Sequence, residues 1–200
     1  MWSFSDNLLW NVGQPSNRDP LRVIHGLFTL GWMLLFFAQA TLIRVGHVRL
    51  HRRLGLVGVA VAAGTTLSTA WLFVVIWKGW AAMPDYLQAN RLLLVVYAVL
   101  VTLGFRARRR PDHHRRYLLL ATLCMMEPVL SRAFDPLAPL LDPLPAAQVD
   151  AAWWLFFVIT WSGLFLSLWL HDWSRERRIH PATLRGSAGV ALAWLVVWLL

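Results

Sequence analysis

The chain has 200 residues, of which 58% are hydrophobic and only 14% charged, with thirteen tryptophans and a net charge of +9. Its mean hydropathy of +0.53 and its low charge exclude an ordinary soluble domain, in which about 25% of residues are charged. The arginines come in short clusters between apolar runs, the pattern of loops on the cytoplasmic side of a membrane protein rather than of a nucleic-acid-binding face.

Residues 1–20 lack the basic start and continuous apolar stretch of a signal peptide. Trp2, Phe4, Leu8, Leu9 and Trp10 among polar residues predict an interfacial segment on the external surface. A helix crosses a bilayer with about 20 mostly apolar residues. Six stretches meet that length or approach it: 21–43, 54–77, 87–105, 117–134, 152–171 and, shortest, 187–200. The expected fold is therefore an all-α integral membrane bundle of six transmembrane helices. Residues 21–134 form its four-helix core, 135–151 a Pro-rich external loop, and 152–200 two further transmembrane helices.

Arginines fill the first turn (Arg44, Arg49, Arg52, Arg53), the third (Arg106, Arg108, Arg109, Arg110, Arg115, Arg116) and the fifth (Arg175, Arg177, Arg178, Arg185). The positive-inside rule puts all three in the cytoplasm and both termini outside, in the periplasm of a bacterial inner membrane. "HRRLGLV" at 51–57 and "HRRYLLL" at 114–120 open the second and fourth spans alike. That likeness points either to a repeated hairpin or to common loop chemistry. Gly55, Gly58, Ala62, Gly64 and Ser68 let neighbouring helices approach the second span closely, which is expected to be central. The only cysteine, Cys124, lies in an apolar run, which excludes an intrachain disulfide and a cysteine-based metal motif. It reads as a small core residue.

Six of the seven histidines (His47, His51, His113, His114, His171 and His180) fall at the arginine-rich ends of the spans. A bis-histidine haem needs two neutral imidazoles at one depth, with cations for its propionates. His51 with His114 or His113, beside Arg52 and Arg116, meets that composition, and His171 is a substitute ligand or part of a metal site. The competing reading makes these residues interfacial anchors for anionic headgroups, or a docking surface for a membrane protein partner. No Glu-x-x-His spacing favours a metal.

A second constellation, expected toward the outer leaflet, comprises His25, Arg91, Glu127 and Arg132. At 1.5 Å per residue Glu127 stands about 16 Å above Arg116, near the bilayer midplane, where a charge costs about 2.5–3.5 kcal/mol unless it is paired or wetted. Pro128 cannot donate to the Cys124 carbonyl and should kink the helix. The cluster is either a polar pocket open to the outside or an ion pair that fixes packing. Gln39 is expected to make an interhelical hydrogen bond. Neither a Gly-rich phosphate loop nor a nucleophile elbow occurs, so the reading leans away from an enzyme.

"HGLFTLGWMLLFFAQATLIRVGHVRLHRRLGLVG" followed by "RRRPDHHRRYLLLATLCMMEPVLSRAF" resembles a group of uncharacterised bacterial multi-pass membrane proteins. That group has a histidine opening helix 1, a glutamine on the same helix, HRRLG opening helix 2, and an H(K/R)R leader with a later Pro and Arg on helix 4. The likeness covers roughly 21–134 and implies roles for His25, Gln39, His51, Arg52, Gly55, His114, Arg116, Pro128 and Arg132. Tyr117 and Glu127 depart from the group's aliphatic residues. The layout also resembles, distantly and at fold level, the four-helix cytochromes of the b561 type, although His25 has no histidine partner for an outer haem. The leading functional expectation is a redox-associated protein handling haem b at the cytoplasmic side. The alternative is a non-enzymatic assembly or interaction subunit, or a small-molecule permease using the outer pocket.

Overall fold

A computed structural model describes residues 19–134, 137–141 and 143–200, without the side chains of Arg132, Ala138 and Pro139. The predicted interfacial segment lies almost wholly outside them.

Asp19 caps the first helix, α1 (Pro20–Arg44), accepting from the Leu21 N–H at 3.0 Å, and Pro20 sits in the first turn, where a missing N–H costs nothing. Gly46, with φ of 80°, makes the tight turn into α2 (Val48–Val75). A 3₁₀ turn at Trp80–Ala82 leads to α3 (Asp85–Arg106). Then follow α4 (Pro111–Cys124), α5 (Glu127–Phe134), the one-turn α6 (Ala138–Leu141), α7 (Ala146–Glu176) and α8 (Pro181–Leu199).

Five of these, α1, α2, α3, α7 and α8, are long and apolar enough to cross a membrane, which corrects the expected six. The predicted fourth span is broken into α4 and α5. Pro128 has no N–H for the Cys124 carbonyl, and the last turn of α4 tightens, with Met125 N–H on Thr122 O and Met126 N–H on Leu123 O. The Trp161 indole also donates to Leu123 O at 3.1 Å, so a neighbouring helix serves the disturbed backbone.

α4 and α5 nevertheless run antiparallel to α7, with Arg116 on Asp172, Leu123 on Trp161 and Phe134 against Phe156. The stretch of α7 between Asp172 and Phe156 covers about 24 Å, which the two short helices together follow. α7 also begins earlier than expected, at Ala146 after the Pro145 cap, which shortens the Pro-rich loop.

The core forms around α3 and α4. Leu93, Tyr97, Leu100, Leu120 and Ala121 are buried there with Ala182, Val190 and Ala193 of α8, so the last helix joins a core expected from the first four alone. Trp32 of α1 meets Tyr97 edge-on, centroids 5.4 Å apart, and donates to Thr122 Oγ1 at 3.3 Å. α2 is peripheral rather than central: only Ala62, Thr65 and Ser68 are buried. Its close approach is to α1, where a Cβ on Gly64 would overlap the Phe28 ring and Thr65 Oγ1 donates to Phe28 O at 3.2 Å.

The three arginine-rich turns share one end of the bundle. The rings of His51 and His114 meet there, joining the first turn to the third, and Arg116 pairs with Asp172 and Glu176, joining the third to the fifth. α7 and α8 diverge along an apolar groove of about 450 Å³ lined by Trp161, Phe165, Trp169 and Trp194. Across it the Trp169 indole donates to Ser187 Oγ at 3.0 Å and the Trp161 and Trp194 rings lie 6.1 Å apart, and polar contacts at the basic end add to the attachment.

Candidate functional site

His51 sits in the first turn of α2 and His114 in the first turn of α4, both on helices that begin earlier than the sequence patterns indicated. Their ring centroids are 6.2 Å apart with planes at 88°. His114 Nδ1–H donates to the Gly104 carbonyl at 2.7 Å, which fixes the tautomer and leaves Nε2 as the free lone pair. His51 Nδ1 is buried with no partner among the described residues, as is Gln39 Oε1. Gln39 reaches the same face of α2: its Nε2 lies 3.9 Å from where a Cβ on Gly55, one turn beyond His51, would stand. Two imidazoles sharing one ion through metal–nitrogen bonds of about 2.0–2.1 Å have centroids roughly 6 Å apart. The separation, the fixed tautomer and the unpaired atoms all fit a ligand held between the rings.

The other residues expected at this site are differently employed. His113 faces away, its ring 4.5 Å from that of His180 and 6.3 Å from that of Tyr117. Arg116 is not available to a propionate: it is 2% exposed, its Nε donates to Asp172 Oδ1 at 2.8 Å and its Nη2 to Asp172 Oδ1 at 2.5 Å and Glu176 Oε1 at 2.7 Å. A guanidinium out of water must be paired, and its planar fork suits carboxylates. Arg52, Arg53 and Arg115 remain exposed around the histidines. His171 is exposed beside the inward-turned Asp172, and among the described residues no group of three or more His, Cys, Asp or Glu could hold a metal.

The outer constellation does not converge among its described members. His25 Nδ1 lies 3.2 Å from Thr69 Oγ1 and 3.5 Å from Ser68 Oγ, both on α2. Arg91 donates to the Phe73 carbonyl at 2.7 Å and stacks over the Phe73 and Trp77 rings, 4.8 and 4.7 Å from their centroids. Glu127 Oε2 accepts from the Asn90 amide at 2.7 Å. The Arg132 side chain lies outside the described residues. The three described members thus make three separate interhelical ties.

The sequence patterns left unseen the buried network around Asp172. Besides Arg116, this carboxylate, 0% exposed, accepts from Thr183 Oγ1 at 2.5 Å and from the His180 N–H at 3.1 Å. It thereby joins α4, α7 and the start of α8. His180 in turn caps α8, its Nδ1 accepting from the Ala182 N–H at 3.1 Å. The available signal was a lone Asp two positions after an apolar run, "LSLWLHD". Comparison with family models, curated proteins and solved structures finds no match to this chain.

Proposed function

We propose that the chain is a multi-pass protein of the bacterial cytoplasmic membrane that holds a haem b, as a redox centre, between His51 and His114 at its cytoplasmic end. The observation that carries this reading is the juxtaposition of the two rings, 6.2 Å apart, from helices that otherwise begin at separate turns. Haem, when bound, supplies one-electron transfer. The chain's part is to hold and tune it. The Gly104 carbonyl orients His114 by accepting its Nδ1–H. His51 faces it from α2, and exposed Arg52 and Arg53 supply the positive charge that carboxylate substituents require, Arg115 being paired with Asp112 at 2.7 Å. With α4 and α5 crossing as an interrupted segment, the basic turns face the cytoplasm. Asp19 and the end of α8 then face the periplasm. The permease alternative has less support, because His25, Arg91 and Glu127 are each engaged with a different partner.

The test is the absorption spectrum of the full chain purified from haem-sufficient cells. A Soret band that His51→Ala and His114→Ala each remove, while His171→Ala keeps it, supports the reading. A colourless, folded preparation that takes up no added haem overturns it.

A further inference from the structure

The start of α8 is held by a group that can accept its cap hydrogen bond only while uncharged. His180 Nδ1 accepts from the Ala182 N–H, so the neutral ring must carry its proton on Nε2. A second proton can go only to Nδ1. It abolishes the cap and places a positive charge at a helix N-terminus, where the macrodipole already disfavours one.

The surroundings sharpen this conflict. From α4 the Arg116 guanidinium and the His113 ring face His180; from α7 the Asp172 and Glu176 carboxylates face it. Asp172 is already engaged by Arg116, Thr183 and the His180 N–H, and Glu176 by Arg116. Burial, Arg116 and His113 together push the His180 imidazole below its ordinary value, outweighing the two carboxylates. The site lies outside the membrane-crossing stretches, at the basic end, where a pH change on that side reaches it.

We propose that His180 is a proton-sensitive latch: neutral, it caps the N-terminus of α8, which Asp172 joins to α4 and α7; protonated, it loses that cap and the first turn opens. The remainder of α8 stays docked through Val190 and Ala193, so release is a local opening of the first turn and the 177–180 turn. Opening linked to uptake of one proton becomes up to tenfold more frequent per pH unit of acidification below about 6.5.

The experiment is hydrogen exchange of the full chain in lipid nanodiscs, followed over residues 177–186 between pH 7.5 and 5.0 and corrected for intrinsic exchange. Wild type is expected to open increasingly as pH falls. His180→Asn, which caps a helix well without titrating, should stay protected throughout. His113→Gln should keep the response. No acid-induced opening in wild type, the same opening in His180→Asn, or a response abolished by His113→Gln alone would each overturn the latch. Should His180→Asn fail to fold, the wild-type profile and His113→Gln still decide.

Discussion

Asp172→Asn keeps the shape of the side chain at the centre of the basic end while removing the charge that pairs with Arg116. Asp172 accepts from Arg116 twice, from Thr183 and from the His180 N–H. An asparagine offers one acceptor oxygen and turns an NH₂ toward donors. Removing one partner of a buried ion pair costs about 3–5 kcal/mol, because the other charge stays buried without compensation. Glu176, whose side chain is 27% exposed and already bonded to Arg116, can carry part of that charge, so the lower figure applies. At 2–4 °C per kcal/mol for a chain of this size, about 3 kcal/mol lowers the Tm by roughly 6–12 °C. The assay is thermal unfolding in detergent, followed by near-ultraviolet circular dichroism of the tryptophans. The double variant Arg116→Met with Asp172→Asn should recover part of the loss, since no unpaired guanidinium remains. A Tm within about 2 °C of wild type for Asp172→Asn alone would refute the claim that this network ties α4, α7 and α8 together.

Asn90→Leu removes the amide that donates to Glu127 and should cost about 1–3 kcal/mol, the desolvation penalty of a buried acceptor left without its donor; an unchanged Tm would contradict that tie. Gly64→Ala puts a methyl group into the Phe28 ring and should destabilise by about 1–3 kcal/mol through overpacking, with Phe28→Leu restoring part of the loss on thermal unfolding. Because the imidazole of His180 is held below its ordinary value, the unfolded chain takes up the proton first as pH falls. Stability is therefore full above about pH 6.5 and declines below it by at most about 1.4 kcal/mol per pH unit, and His180→Asn should flatten that part of the Tm–pH curve.

The bundle's rhythm was legible because each crossing helix needs its own long apolar run, and such runs are local. The break in the fourth was legible too, since Pro128 denies Cys124 its partner whatever surrounds it. That a short helix on either side of the break would keep antiparallel contact with α7 was not, because the contacts of Leu123 with Trp161 and of Phe134 with Phe156 are long-range. The pairing of His51 with His114 followed from their matching places at two helix starts. Arg116 was misread for the opposite reason: its neighbours in sequence, Arg115 and His114, make it look like one more interfacial cation. Its carboxylate partner comes 56 residues later, where no local pattern connects the two. In the outer cluster the individual partners were not legible, because shared depth does not say which neighbouring helix a side chain meets. His25 and Arg91 both turn to α2, whereas Glu127 turns to α3.

The most direct test of the two-histidine site is the haem content of the purified full chain, measured as pyridine haemochrome against protein, with the spin state read from the oxidised spectrum. One low-spin haem per chain, lost in both His51→Ala and His114→Ala while each variant keeps its helical circular dichroism, is the predicted result. A folded wild-type chain with no haem, or a haem that survives both substitutions, would contradict it.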